Sequence, residues 1–405
     1  MKIGIIREGK NPPDKRSPFT PDQLQSLNQK FEGQLKFYVE SSPIRCFSDE
    51  EYESKGVEVI SDISGCDVLF GVKEVPIANL ISDKTYFFFS HTIKRQAYNR
   101  GLLQAVLEKN IRMIDYEVLK NESGSRVVAF GRWAGVVGAY NAMWTYGQKT
   151  GLFEIKRAHE CFDLAEMKQE LQKIQLPPIK IILNGSGRVG NGAKEILEAM
   201  EIKEVGTEDF LHQYFDEPVF VQLKSEDFNR RKTDGGFDKN EFYTSPEKYE
   251  SHFLKFAEEG EMLIAAAYWD PKAPRLFELK DIQSDDFGIS VIADVTCDIN
   301  GSVPTTSKAS TILSPVYDVD RQTMTEIEAF GKQNSISVMA IDNLPCELPR
   351  EASRDFGNQL IQWVIPALLD EPAPILEKAT IARDGDLTLE FMHLTDYVYP
   401  DEKFQ

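Results

Sequence analysis

The sequence predicts an α/β protein with doubly wound parallel sheets in more than one domain. Three observations carry that prediction. The chain has 405 residues, more than one domain ordinarily holds. Short apolar runs alternate with helix signals from the first residues onward, the pattern of a parallel sheet covered on both faces. A glycine-rich hexapeptide, Gly185-Ser186-Gly187-Arg188-Val189-Gly190, stands between a strand-like and a helix-like segment and opens a second α/β unit.

Lys2–Arg7 reads as the first strand. Thr20-Pro21-Asp22-Gln23 reads as a helix start, with Thr20 as N-cap, Pro21 in the first turn and Gln23 completing a capping box. Leu24, Leu27 and Phe31 follow at helical spacing. Lys36–Glu40, Asp67–Val72, Thr85–Phe89 and Ile111–Asp115 are further runs of strand length. Trp133–Gly151 is rich in Ala, Gly and aromatic residues and predicts a long helix packed closely on another. A charged helix over Phe162–Ile174 and the punctuation Leu176-Pro177-Pro178 precede the strand Ile179–Asn184. The stretch Thr207–Gly260 is charged and long for one step of such a fold, so a surface elaboration is expected there. Strands are expected again at Met262–Ala267, Ser290–Asp294 and Ser337–Ile341, then a helix over Arg350–Leu369.

Composition narrows the function. A formal charge of −19 repels phosphate backbones and anionic lipid, so neither nucleic acid nor a membrane surface is expected as a partner. The longest apolar runs are too short to span a bilayer, and the N-terminus does not read as a secretion signal. Five scattered cysteines without a CxxC, and five dispersed histidines, point to reduced thiols, a cytoplasmic protein and no metal site.

The glycine loop carries the clearest chemistry. Gly185 permits the tight turn, Gly187 lets backbone approach a pyrophosphate, and Gly190 lets the helix pack on the strand. The helix N-terminus then faces the phosphates with its free N–H groups. An acidic residue about 20 positions on would hold the adenosine ribose. Glu208 and Asp209 fit that spacing and favour NAD. Asp227, beside Arg230 and Arg231, is a rival placement that would admit NADP. Lys73 and His91 each follow the carboxyl end of an expected parallel strand, where open α/β folds place ligands, and both residue types serve acid–base chemistry. Arg16 and Arg126 offer planar guanidinium groups for a carboxylate substrate. Read alone, these four could equally be ordinary surface and loop residues.

Taken together, these stretches resemble the alanine dehydrogenase and transhydrogenase superfamily, and within it the L-lysine-forming saccharopine dehydrogenases and lysine–ketoglutarate reductases. The resemblance rests on KRSPFTP at 15–21, GVKE at 71–74 and the segment from His91 to Gln96. It continues through DYEVL at 115–119, RVVAFGRWAG at 126–135, GSGRVG at 185–190, ADVTCDINGS at 293–302 and AIDNLPCELPREAS at 340–353. It implies two Rossmann-like domains, residues 1–146 with 345–405 for substrate and catalysis and an inserted dinucleotide domain over 147–344. It implies an acid–base pair, Lys73 and His91, tuned by Glu74 and Glu117. Arg16, Gln96, Arg126 and Phe130 match substrate-contacting positions, and Gly187, Arg188 and the loop Ile341-Asp342-Asn343-Leu344 match cofactor contacts. The expected reaction interconverts saccharopine with L-lysine plus 2-oxoglutarate, using NAD or NADP. Alanine dehydrogenase, another secondary-amine dehydrogenase such as N5-carboxyethylornithine synthase, and a non-catalytic dinucleotide sensor are the alternatives. Ser125 stands where the fungal pattern often has a second arginine, and the 207–260 region is longer than in the fungal enzymes.

Overall fold

The computed structural model describes residues 1–370 and 372–400. The chain forms two compact units: residues 1–130 with 349–405, and residues 131–348. The second is therefore inserted between the two segments of the first, and each is an α/β unit around its own eight-stranded sheet.

The first unit's sheet runs, in spatial order, Asp386–Leu387, Thr380–Arg383, Arg112–Asp115, Thr85–Phe88, Val68–Phe70, Lys2–Ile5, Lys36–Glu40 and Glu58–Ile60. Its six N-terminal strands are all parallel. Thr380–Arg383 is antiparallel to Arg112–Asp115 and forms a hairpin with Asp386–Leu387. Strand order reverses between Lys2–Ile5 and Val68–Phe70, so the loops leaving those two strands diverge and open a crevice at their carboxyl ends. The expected first helix forms over Pro21–Lys30 with its capping box: Gln23 N–H donates to Thr20 Oγ1 at 3.3 Å, and Thr20 N–H donates to Gln23 Oε1 at 2.8 Å. Its buried face, with Leu24 and Leu27, packs into an apolar cluster that also holds Phe70, Phe87, Phe356 and Leu360. Phe356 and Leu360 come from the helix Pro349–Leu369, so the returning chain completes this core.

The second unit's sheet runs Glu326–Ile327, Val316–Asp320, Ser335–Met339, Val291–Asp294, Met262–Ala265, Lys180–Asn184, Val219–Leu223 and Lys203–Glu204. Its six-strand block from Ser335–Met339 to Lys203–Glu204 is parallel, and order reverses between Lys180–Asn184 and Met262–Ala265. One expectation needs correction here. The 207–260 region is not surface elaboration throughout, because Val219–Leu223 is a buried strand directly beside Lys180–Asn184. Charged flanks and the single Gln222 disguise its apolar run. The elaboration proper is the two-stranded ribbon Asn229–Arg231 and Tyr249–Ser251 with the short helix Lys239–Thr244.

The long Ala/Gly/aromatic segment forms the helix Gly131–Thr150, which packs on the helix Arg188–Ala199. Apolar on most sides, it is buried along most of its length. A Cβ at Gly135 would lie 1.8 Å from the Val189 carbonyl oxygen, and one at Gly192 2.0 Å from the Arg132 carbonyl oxygen. The two backbones therefore touch. Among the described residues no helix is long and apolar enough to cross a membrane.

Candidate active site and dinucleotide loop

In the first unit four loops leave the carboxyl end of the sheet, and they bring most of the expected residues to one edge. The loop after Lys2–Ile5 carries Glu8, Asp14 and Arg16; the loop after Val68–Phe70 carries Lys73 and Glu74; that after Thr85–Phe88 carries His91; that after Arg112–Asp115 carries Glu117.

Arg16 is buried, and its guanidinium pairs with Asp14 through Nε at 3.0 Å and Nη2 at 2.5 Å. Burial alone would raise the Asp14 carboxyl, but the charge and hydrogen bonds of Arg16 outweigh it and hold that carboxyl below its ordinary range. The other face of the guanidinium covers the Phe130 ring at 4.2 Å, and Phe130 stacks on Phe356 at 4.4 Å. Arg126 lies over the Phe89 ring at 5.3 Å, donates from Nε to the Val128 carbonyl and stands 4.0 Å from Glu117.

Lys73 is half-buried. Burial lowers its proton affinity, the Arg16 charge lowers it further, and Asp14 and Glu74 oppose the shift. Glu74 accepts from His91 Nδ1 at 2.6 Å on one oxygen and from Lys10 Nζ at 2.7 Å on the other. Burial would raise the Glu74 carboxyl, yet these two partners bring it down to about 2. A carboxylate so fully ionised only accepts, so the proton of this contact sits on His91 Nδ1 and Nε2 is left for chemistry. His91 has a left-handed backbone, φ 54°, at the end of its strand. Asp115 fixes the segment before it: both the backbone and the hydroxyl of Ser90 donate to Asp115, which also takes the Glu117 N–H at 2.7 Å. Burial raises the Asp115 carboxyl. Glu117 faces Lys94 at 3.5 Å with Oε1, while its Oε2 is buried with no hydrogen-bond partner among the described residues. Gln96 is set apart on an exposed turn, where its side chain accepts from the Tyr98 hydroxyl.

In the second unit the glycine loop stands as its sequence implies. Gly185 has φ 119°, and its missing Cβ would press within 2.9 Å of the Ala266 backbone. A Cβ at Gly190 would fall 2.0 Å from the Gly185 carbonyl oxygen. A Cβ at Gly187 would meet nothing within 4 Å, which leaves an open cradle at the N-terminus of the helix Arg188–Ala199. Ser186, Gly187 and Arg188 are exposed there, with Val189 partly so. The loop Ile341–Leu344 leaves the same carboxyl edge after Ser335–Met339, with Asp342 exposed and Asn343 left-handed at φ 71°. It is anchored by the buried Glu347, which accepts from Arg157 at 2.9 Å and from Asn141 at 2.9 Å.

Glu208 is not brought to this loop. It sits on the exposed helix Thr207–His212, after the edge strand Lys203–Glu204, with its nearest charge partner His212. The strand beside the loop is Val219–Leu223. Gln222 Nε2 donates to the Gly185 carbonyl at 3.0 Å, and Lys224 and Ser225 follow at its carboxyl end. Asp227 spends one oxygen on the Lys224 N–H at 2.6 Å, and Arg231 is paired with Asp234 and Glu241. Sequence reasoning missed Gln222 and Lys224. A lone glutamine inside the apolar run VFVQL was the available signal.

The chain is similar in fold to solved dehydrogenases of the alanine dehydrogenase and transhydrogenase kind. Residues 4–137 match the family described as Alanine dehydrogenase/PNT, N-terminal domain. A solved L-alanine dehydrogenase covers 99% of the chain and 99% of its own length with a TM-score of 0.66 at 18% identity. A transhydrogenase from Sinorhizobium meliloti covers 96% of the chain, and all of its own, at 0.62 and 13% identity. Its sequence is also similar to curated alpha-aminoadipic semialdehyde synthases and L-lysine-forming saccharopine dehydrogenases. It is 30% identical to the mitochondrial alpha-aminoadipic semialdehyde synthase of Mus musculus over 100% of this chain and 48% of the relative. It is 25% identical to the saccharopine dehydrogenase [NAD(+), L-lysine-forming] of Yarrowia lipolytica over 94% of this chain and 95% of the relative. The chain thus spans about half the length of the first of these curated relatives.

Proposed function

We propose that the chain interconverts saccharopine with L-lysine plus 2-oxoglutarate through a nicotinamide dinucleotide. The observation that carries this reading is the pairing of a lysine of lowered proton affinity with a carboxylate-anchored histidine on loops of neighbouring parallel strands. Oxidation of a secondary amine followed by hydrolysis needs two proton-handling groups with different tasks. In the oxidative direction Lys73 takes the proton of the secondary amine. The bound nicotinamide supplies the hydride acceptor when the carbon–nitrogen bond becomes an imine. His91 Nε2 then takes a proton from the water that adds to the imine carbon. It returns the proton to the nitrogen and then takes the carbinolamine hydroxyl proton as the C–N bond breaks and the carbonyl forms. Arg16 and Arg126 bind substrate carboxylates, with Phe130 beside Arg16. Glu117 Oε2, buried and without a hydrogen-bond partner among the described residues, is an acceptor that a substrate N–H would satisfy.

On this reading Gly185, Gly187, Arg188, Val189 and Gly190 hold the pyrophosphate, and Ile341–Leu344 the nicotinamide end. One observation favours NADP over the NAD expected from Glu208: the residue at the end of the neighbouring strand is Lys224, whose ammonium suits a 2′-phosphate.

The test is steady-state turnover with 2-oxoglutarate plus lysine, pyruvate plus ammonia, and pyruvate plus ornithine, each with NADH and with NADPH. Turnover of the first pair supports the proposal. Turnover confined to either pyruvate pair assigns the chain to the alternative chemistry, and dinucleotide binding without any turnover makes it a sensor.

A further inference from the structure

The buried carboxyl of Glu8 has no part in the chemistry above, yet it touches the segment that presents Lys73. Backbone pairing of the strands continues a little past their ends: Ile6 N–H donates to the Phe70 carbonyl, Gly71 N–H to Phe87, and Phe89 N–H to Val72. The N–H groups of Val72 and Lys73 are left over, and Val72 is fully buried. A buried amide without a partner is costly, and Glu8 removes that cost twice. Its Oε1 accepts from Val72 N–H at 2.6 Å, and its Oε2 from Lys73 N–H at 2.9 Å. The two loops are pressed together here, since a Cβ at Gly71 would lie 2.7 Å from Ile6 Cδ1 and 3.4 Å from Glu8 Oε1. The contact lies at the reversal of strand order, where the crevice opens.

We propose that Glu8 is a positioning residue for Lys73: its carboxylate grips the backbone at 72–73 from the neighbouring loop and sets where the lysine amine stands. This rests on Lys73 as the acid–base lysine of the proposed function. The grip is also proton-linked. Burial, then the nearby charge of Asp14, push the Glu8 carboxyl up to about 8, while the two backbone N–H groups and Arg16 pull it down. Tyr116 also faces it, with a buried hydroxyl that has no hydrogen-bond partner among the described residues. Above its own titration both oxygens accept. Below it one oxygen carries a proton, and the bidentate grip weakens.

The experiment follows the amides of Val72 and Lys73 by NMR in full-length protein labelled with ¹⁵N-valine and ¹⁵N-lysine, assigned through Val72→Ala and Lys73→Arg. Both amides are expected to shift with a common midpoint near 8 in the wild type, and the step is expected to vanish in Glu8→Gln. In turnover measured above the Glu8 titration, Glu8→Gln and Glu8→Ala are expected to lower kcat by roughly tenfold to a hundredfold. KM for the dinucleotide should stay unchanged, and Gln should retain more activity because its amide oxygen still accepts one bond. Amides that do not titrate, or that titrate alike in Glu8→Gln, would overturn the proposal, as would a kcat unmoved by either variant. The amide readout needs no substrate. If it behaves as expected while lysine plus 2-oxoglutarate do not turn over, the grip stands and the assigned reaction fails. If turnover is present without the titration, the reverse holds.

Discussion

His91 Nδ1 and Glu74 Oε1 stand 2.6 Å apart, with the second Glu74 oxygen held by Lys10. The pair fixes the histidine tautomer, so its loss should be felt in kcat more than in KM. Glu74→Ala is expected to lower kcat with lysine and 2-oxoglutarate by about 10- to 100-fold, and Glu74→Gln by less. The folded carboxyl titrates at about 2, below its ordinary 4.5. Its stabilising contribution is therefore complete above the ordinary value and is lost as pH falls through about 2. Across neutral assay conditions it is a constant, and any pH dependence there belongs to other groups.

Lys73→Met removes the acid–base amine while keeping much of the side-chain volume. Turnover should fall by roughly 10²–10⁴. Fluorescence titration with NADPH should give an unchanged dissociation constant, because the cradle lies in the other unit. Unchanged turnover would remove Lys73 from the mechanism.

Asp14→Asn leaves the buried Arg16 guanidinium without its carboxylate. Breaking such a pair costs about 3–5 kcal/mol at neutral pH, and urea unfolding measures it. The sign of the pH effect follows from the Asp14 carboxyl lying below its ordinary 3.8 when folded. The contribution is present above that value and is lost as pH falls beneath it. The gap between wild type and Asp14→Asn should therefore narrow only in acid.

The dinucleotide choice separates Lys224 from Glu208. Lys224→Ala is expected to weaken NADPH binding by roughly tenfold or more, the worth of a charged hydrogen bond, and to leave NADH binding unchanged. Glu208→Ala should alter neither. If Glu208→Ala weakens NADH binding specifically, the ribose is held from the edge helix after all.

Most of the parallel strands of the first unit could be read from the sequence, because parallel strands buried on both faces are short apolar runs; their spatial order could not. The capping box at Thr20 and Gln23 is local chemistry and reads directly. What stayed hidden depends on pairing between distant segments. Val219–Leu223 looks like one more piece of a charged insertion until it is paired with Lys180–Asn184. The spacing rule therefore pointed to Glu208, on the helix after the strand Lys203–Glu204 that the chain reaches first, whereas the strand beside the loop is reached later. Glu8 was equally invisible: nothing in Arg7-Glu8-Gly9 shows that its partners are backbone amides 64 and 65 positions away.

The glycines of the helix Gly131–Thr150 differ in how damage at them could be repaired. At Gly138 an added methyl would meet the Val295 side chain at 2.5 Å, so a second change that trims Val295 could restore the fit. At Gly135 it would meet the Val189 carbonyl oxygen, a part of the chain that every amino acid shares. A genetic screen for suppressors should recover compensating alleles for the first lesion at the contact itself and none for the second.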